Sequence, residues 1–359
     1  MSNMQFSVSN SPHTPVLIDS IISLISPVTG CWLDGTFGAG GYTRALLDAG
    51  AENVISIDRD PSVFELAKKW TSSYANRIQL HNDKFSNLGA YGSNLDGIVL
   101  DLGLSSMQID EAARGFSFMK DGPLDMRMSG SGASAADLIN NLTESDIANM
   151  LYFFGEERAS RRIAKAIVTR RAEKNMLYFF GEERASRRIA NAIVTRRAEK
   201  PFTSTLDLSS VIEDCLPRKK PGKTHPATRS FQALRIATND EFTELYTALF
   251  AAEKALCFGG ILAIVTFHSL EDRVVKRFFQ LRSGSAGNSN RYAPELQTEE
   301  KHFEIVNRKA IIPPDQEISK NPRSRSAKLR MAKRLSSEPG PNLLPGQLGV
   351  PLLEGKYNA

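Results

Sequence analysis

Leu33-Asp34-Gly35-Thr36-Phe37-Gly38-Ala39-Gly40-Gly41-Tyr42, followed by a second apolar run ending in an acid, Val54-Ile55-Ser56-Ile57-Asp58, decides the fold of this chain. An apolar strand ends at Asp34, a turn with four glycines in seven residues follows, a helix is predicted from Tyr42 to Asp48, and a second strand ends at Asp58. That order describes a nucleotide-binding βαβ unit. Glycine lets the backbone approach a ligand that a Cβ would block, and a carboxylate at the tip of the second strand can accept hydrogen bonds from both ribose hydroxyls. A glycine-rich turn alone is as often a structural loop as a ligand cradle. The acid-ended strand at the right distance turns the balance toward a cofactor pocket.

Two cofactor classes use such parts. A dinucleotide fingerprint, Gly-x-Gly-x-x-Gly/Ala starting at Gly38, would place Thr43 at its third position, which loosens the helix–strand contact. The spacing Asp34-Gly-x-x-Gly-x-Gly-Gly instead resembles the first motif of S-adenosylmethionine-dependent methyltransferases. Their cofactor carries no pyrophosphate, so Asp34 is expected near its methionine ammonium.

Composition bounds the class. With 359 residues, 41% hydrophobic and 24% charged, the chain can bury a large core and exceeds a typical single domain. The polar start Met1 to His13 lacks an apolar signal region, and no run of about eighteen apolar residues occurs, so a cytoplasmic protein is expected. Cys31, Cys215 and Cys257 are scattered, without metal-ligand spacing or a disulfide framework, and read as reduced core residues. No metal site is expected.

A tandem repeat occupies the middle of the chain. Asn149 to Lys174 reads NMLYFFGEERASRRIAKAIVTRRAEK, and Asn175 to Lys200 repeats it with the single change of Lys165 to Asn191. Solenoids need about three copies to stack a core, so two near-identical copies read as a recent in-frame duplication or a sequence-assembly artefact, not as an architecture. Each copy is an apolar segment, a turn at Gly155 or Gly181, and an amphipathic helix with Ala159, Ile163, Ala166 and Ile167 on one face of the first. The first copy has seven Lys/Arg against three Glu and the second six against three, so the pair carries +7 where the whole chain carries +5. Such an Arg-rich face is either solvated or contacts phosphates.

Read coarsely, a leading helix spans His13 to Ile25 and strands end near Asp34, Asp58, His81 and Asp101, with helices between: an alternating βα pattern and a parallel sheet. The pattern breaks from Gln108 to about Lys223, where a Gly- and Met-rich loop, Gly115 to Gly132, precedes helices. It resumes with a helix from Glu241 to Cys257, a buried strand Gly260 to Phe267, a helix Leu270 to Leu281, and a final strand pair, Phe303 to Ile312 and Ala327 to Leu335. The expected fold is α/β, a Rossmann-like class I methyltransferase sheet with a helical insertion domain after the fourth strand. Its expected boundaries are 1–108 for the first part of the core, 109–223 for the insertion, 224–336 for the second part of the core and 337–359 for a flexible tail. An insertion leaving after the fourth strand exits at the carboxyl edge of the sheet, where ligands bind in open α/β folds. It is expected to roof the active site.

Three constellations carry chemistry. Asp101, in Ile98-Val-Leu-Asp101-Leu-Gly-Leu-Ser-Ser-Met-Gln108, ends the fourth strand where amino-group methyltransferases hold their substrate amine. An exocyclic cytosine amine is a poor nucleophile because its lone pair is delocalised into the ring. Acceptors for its N–H bonds, together with in-line placement, favour attack. A turn-capping Asp is the plain alternative. The usual adjacent aromatic is replaced by Leu102-Gly103, which leaves Phe116 or Phe118 to stack on the base. Phe85, ending the third strand, offers an adenine-stacking surface or a core side chain. His268, in Phe267-His-Ser-Leu-Glu-Asp-Arg273, is a candidate base at a strand end, against the commoner role of a helix-start hydrogen-bond partner.

Thr36-Phe-Gly-Ala-Gly-Gly, Ile57-Asp-Arg-Asp-Pro61, Leu100-Asp-Leu-Gly, Arg114 to Met128, Gly155-Glu-Glu-Arg158, His225-Pro-Ala-Thr-Arg229, Phe267 to Arg273 and Asn321-Pro-Arg-Ser-Arg-Ser together resemble the bacterial RsmH (MraW) family. These segments run in order from about His13 to Leu335. The resemblance implies S-adenosyl-L-methionine as cofactor and N4 methylation of a cytidine in the decoding region of 16S rRNA within the small ribosomal subunit. It also implies cofactor contacts at Gly40, Gly41, Tyr42, Asp58, Phe85, Asp101 and Gln108, to which the turn itself adds Asp34 and Gly38. Tyr42 stands where the family commonly has His, and the second repeat copy has no counterpart in it. RNA-binding candidates are Phe116, Phe118, Arg127, Arg158, Lys219, Lys220, Lys223, His225, Arg229, Arg323 and Arg325. The run Lys320 to Arg334, with seven Lys/Arg and no acid, and the loop Arg218 to Lys223 favour a polyanion over a protein or small-molecule substrate. A dinucleotide oxidoreductase and a non-catalytic RNA-binding module are the competing classes, and a homodimer is left open.

Overall fold

The computed structural model describes residues 15–156, 192, 195, 201–215, 225–284, 300–336 and 338–351. Two compact units divide the chain, one from Met1–Gly103 with Thr243–Val350, the other from Leu104–Phe242 with Pro351–Ala359. The second unit is wider than the 109–223 expected of the insertion because the helix Thr228–Asn239 packs on the helix Glu144–Gly155.

In the first unit a seven-stranded sheet has the order β3-β2-β1-β4-β5-β7-β6. Its strands are β1 (Cys31–Asp34), β2 (Asn53–Asp58), β3 (Ile78–Asn82), β4 (Leu95–Asp101), β5 (Leu256–Thr266), β6 (Phe303–Ile305) and β7 (Lys328–Arg334). The first five are parallel, and β7 runs antiparallel to both β5 and β6. Strand order reverses between β1 and β4, which opens a crevice at their carboxyl ends. Near-continuous apolar runs such as Ile98-Val99-Leu100 suit a sheet buried on both faces. One core cluster joins Ile21 and Ile25 of α1 (Ile18–Ile25) and Leu46 of α2 (Gly41–Ala49) to Trp32, Val54, Val99, Val265 and Met331 of the sheet. A smaller one packs Phe37 against Val63 and Ala67 of α3 (Ser62–Thr71).

The final strand pair forms, but its first member is three residues long where ten were expected. After Ile305 the side chain of Asn307 takes over the ladder: its Oδ1 accepts from Met331 N (2.7 Å) and its Nδ2 donates to Leu329 O (2.9 Å). Backbone pairing resumes only as a bridge between Ile311 and Leu329.

Two expectations are corrected here, one of charge and one of flexibility. The basic run Lys320 to Arg334 is not a free arm: Lys328 and Arg330 both bind Asp272, and Arg334, 1% exposed, lies 3.6 Å from the carboxylate of Glu253. Nor is the stretch after Leu335 a flexible tail over its described residues. Leu343, Leu348 and Val350 are buried, Tyr246 Oη donates to Leu343 O (2.6 Å), and Gly340 N donates to Glu253 Oε1 (3.1 Å). Of the cysteines, Cys215 is buried, whereas Cys31 and Cys257 are only partly so.

The second unit is helical, with Ser106–Asp110, Ala135–Asn141, Glu144–Gly155, Thr205–Cys215 and Thr228–Asn239. Met150, Leu151 and Phe154 of the first repeat copy are buried in the helix Glu144–Gly155. Gly155 is closely packed, since a Cβ there would come 3.0 Å from Arg229 O, and the left-handed residue ending the helix is Glu156 (φ 49°). The rest of the duplication apart from Ala192 and Thr195, with Gly181, Arg158 and the face Ala159–Ile163–Ala166–Ile167, lies outside the described residues, as do Lys219, Lys220 and Lys223. Both flanks of the repeat are pinned. The amide of Asn140 exchanges two hydrogen bonds with the Phe202 backbone (2.9 Å each), Leu124 N donates to Thr203 O (3.0 Å), and Thr205 N donates to Gly122 O (3.0 Å). Deleting Asn175 to Lys200 is therefore expected to preserve cooperative unfolding and methyl transfer, with Tm unchanged or raised. Loss of folding on deletion would make both copies integral.

Candidate active site

The first turn is built from three carboxylates. Asp34, at the end of β1, is fully buried; its Oδ1 accepts from Thr36 N (3.1 Å) and its Oδ2 from Thr43 Oγ1 (2.7 Å), which in turn accepts from Ser56 Oγ (2.8 Å). It presents no surface to a ligand. The expectation of Asp34 beside the methionine ammonium is thereby corrected: this carboxylate ties the turn to α2. Asp58 accepts from Gly38 N (2.7 Å) and Asp60 N (2.9 Å) and so holds the glycine turn against β2, each oxygen keeping a second lone pair. Asp101 N donates to Thr36 Oγ1 (2.7 Å), which couples the end of β4 to the same turn.

The glycines divide into two kinds. At Gly38 (φ 50°) an added Cβ would meet nothing nearer than Thr36 O at 3.9 Å, so its open face suits the approach of a ligand. At Gly40 (φ 75°) a Cβ would come 2.1 Å from Trp70 Cζ2, and at Gly41 2.2 Å from Pro15 Cγ. Those two are glycine because the protein itself closes on them. Tyr42 is 3% exposed and its hydroxyl donates to Val16 O (2.5 Å), so its side chain is structural. Phe85 opens the 3-10 helix Phe85–Ala90 with its Cβ against Gly35, beside the turn as expected.

Burial raises the pKa of all three acids. Asp34 is pushed up to about 6 by desolvation, against the hydrogen bonds of Thr43 and Thr36, with Asp58 adding repulsion. Asp58 is raised by burial. Asp101 is raised well above the ordinary carboxylate range, first by burial and then by the charges of Asp34 and Glu271, while the Tyr42 hydroxyl works the other way. Its Oδ1 is buried without a hydrogen bond of ordinary geometry among the described residues: the Tyr42 hydroxyl lies close to the carboxylate, but its proton goes to Val16 O. Because the folded-state pKa of Asp34 exceeds its unfolded value, its contribution to stability is present below about pH 4 and lost as pH rises to about 6, an effect of about 3 kcal/mol. Asp34→Asn is expected to flatten that window in urea unfolding followed from pH 4 to pH 7. Parallel curves for the two proteins would refute the assignment.

His268 does what a helix start requires. It is the N-cap of the helix Ser269–Arg282, its Nδ1 accepting from Glu271 N (3.4 Å), and its Nε2 lies 3.0 Å from Glu271 Oε1. Glu271, 3% exposed, accepts from Phe267 N and His268 N. The proposed base is therefore engaged as a cap. Thr36 is the residue that sequence reasoning passed over, while Glu271 was read only as part of a helix start and not as a partner of His268. Glu271 was signalled by its position three residues after a cap. Thr36 lay inside the quoted motif, with no sign that its hydroxyl would reach β4.

In the second unit Gln108 is buried and shares a capping box with Ser105. Phe116 is buried beneath the Arg114 guanidinium, 5.9 Å from its ring centre, and Phe118 stacks on His225 (4.8 Å) with its edge to Phe231. Farther along the loop Gly115 to Gly132, Asn239 accepts from Met128 N (2.9 Å) and donates to Met126 O (2.8 Å). Arg127 grips Asp125 through two nitrogens, His225 Nε2 lies 3.3 Å from Glu213, and Arg229 is exposed on its helix. Arg323 and Arg325 are exposed in the turn Pro322–Ser326 of the first unit.

A parallel sheet with a glycine turn after its first strand, an acid ending the second and an acid ending the fourth at the switch point defines a Rossmann-like methyltransferase. A model of the MraW methylase family matches residues 10–177 and 174–335, two stretches that meet where the repeat copies join, and the chain belongs to that family. It is 55% identical over 330 residues to a protein of Ruegeria sp. (strain TM1040) named ribosomal RNA small subunit methyltransferase H, covering 92% of each chain. A protein of the same name from Cereibacter sphaeroides (strain ATCC 17025) is 53% identical over 346 residues, 96% of each. Among solved structures, a SAM-dependent O-methyltransferase from Thermotoga maritima is similar with a TM-score of 0.37 at 8% identity, over 91% of this chain and 69% of that one. Membership of a methylase family makes S-adenosylmethionine the cofactor, and the open face of Gly38 and the buried Asp101 oxygen are compatible with it.

Proposed function

We propose that the protein methylates N4 of one cytidine in the decoding region of 16S ribosomal RNA, acting in the cytoplasm on the small ribosomal subunit. The observation that carries this is the buried, unpartnered Oδ1 of Asp101 at the carboxyl end of β4. An acceptor left bare there is costly unless a donor arrives, and the N–H of an exocyclic amine is such a donor. Bound S-adenosylmethionine would supply an electrophilic methyl group and positive charge. Asp58 and Asp101, the two carboxylates at the open ends of β2 and β4, would be stabilised by a cationic ligand, whereas a pyrophosphate would be repelled by them. Asp58 would hold the ribose hydroxyls, Gly38 would admit the cofactor backbone to backbone, and Phe85 would flank the adenine. Asp101 would accept an amine N–H and orient the nitrogen lone pair in line. The name shared by the curated relatives supports ribosomal RNA of the small subunit as the substrate.

The test is direct. The protein, labelled cofactor and small subunits from a strain lacking this methylation are incubated together. Label is expected on N4 of a single decoding-region cytosine. Label on carbon-5, on a 2′-hydroxyl or on ribosomal protein would overturn the chemistry.

A further inference from the structure

We propose that a groove on the β6 edge of the sheet binds the phosphodiester backbone of the substrate RNA, apart from the crevice at β1 and β4. The groove belongs wholly to the first unit and encloses about 570 Å³ between the helix Ser269–Arg282 and the strand β6. Cavities of that size hold nucleotide-sized ligands. Its cations come from both walls: Lys276 from the helix, Lys301 and Arg308 from either side of β6, and Arg330 from β7.

Three of these four charges are not matched by the protein, and the fourth, Arg330, is paired with Asp272. Among the described residues the side chains of Lys276, Lys301 and Arg308 make no ion pair or hydrogen bond, and all three are exposed. Arg330 is oriented by Asp272, whose Oδ1 accepts from its Nε (2.6 Å). Glu304 is the one acid of the lining, and it sits in register with Lys333 on the neighbouring strand. Phe279 and Phe303 are buried, their ring centres 6.0 Å apart, and form a rigid floor rather than a stacking platform. A floor without open aromatic faces under a ring of cations selects backbone phosphates over bases.

Position supplies the rest. In the order β1-β4-β5-β7-β6 the strand β6 is offset laterally from β1 by four strand spacings, roughly 19 Å, and its register through β7 puts it beside Ile261 and Leu262, toward the amino end of β5 and away from the carboxyl-end crevice. The phosphates it holds are therefore several nucleotides from the reacting base. This would anchor a flanking strand while the crevice takes the cytidine, and it rests on the assignment of ribosomal RNA as substrate.

The experiment compares the full-length protein with Lys276→Ala/Lys301→Ala, and with Lys69→Ala/Lys254→Ala as a control of equal charge loss. Binding to small ribosomal subunits is measured across a salt series, alongside cofactor affinity and kcat at saturating substrate. The groove variant is expected to bind at least tenfold more weakly and to lower the slope of log K against log salt by roughly one to two. Cofactor affinity, kcat and melting temperature should not change. Equal losses in the groove and control variants would overturn the proposal even if the wild type methylates the subunit normally. A wild type that methylates nothing in the subunit but keeps the groove-specific salt effect would refute the substrate assignment and leave the polyanion site standing.

Discussion

Asp101→Ala is expected to lower kcat for methyl transfer by about 10²–10³-fold, the loss that follows removal of one preorganised partner of a reacting group. The carboxylate is placed by its own backbone, which donates to Thr36, and by the sheet register that pairs Asp101 with Val265. Alanine leaves both in place, so the cofactor turn should survive. Single-turnover rates with bound cofactor separate this loss from any change in affinity. Asp101→Asn is the sharper variant, because its amide keeps the shape and one acceptor but introduces a donor facing the substrate amine. A variant retaining more than a third of the wild-type rate would remove Asp101 from the chemistry.

Asp58→Ala is expected to cost roughly 2–4 kcal/mol of cofactor binding, a 30- to 1000-fold rise in Kd, as a buried charge-assisted pair is lost. The structure adds a second reason for the loss. Asp58 also accepts from Gly38 N and Asp60 N, so alanine frees the turn that the cofactor must meet. Asp58→Asn retains one acceptor and should fall between alanine and wild type. Calorimetry on the three proteins decides it, and an unchanged Kd in the alanine variant would sink the ribose assignment.

Much of the fold could be read from local pattern. The first five strands end where their apolar runs meet an acid or a turn, because a parallel sheet buried on both faces writes itself as short apolar blocks. The glycine turn was equally visible, but not the division of labour within it. Trp70 and Pro15, which forbid a side chain at Gly40 and Gly41, are contacts across the fold that no spacing encodes. The same holds for Asn239, more than a hundred residues from the loop that it clamps. Charge runs were the least reliable signal. Lys328, Arg330 and Arg334 looked like an arm for RNA, yet a strand placed beside β5 brings them to Asp272 and Glu253. Whether a cation is spent inside the protein depends on acids far away in sequence.

The clasp formed by Asn140 with Phe202, and by Gly122 and Leu124 with Thr203 and Thr205, makes the unit indifferent to how much chain runs between its ends. Closing a longer loop costs little once its ends are fixed, about 0.6 kcal/mol for each doubling of length. A copying error of 26 residues can then persist in a working gene without being selected against through stability. The same position is a natural point of entry for foreign sequence, such as an affinity tag or a small reporter domain, in a protein whose sheet and cofactor turn lie in the other unit.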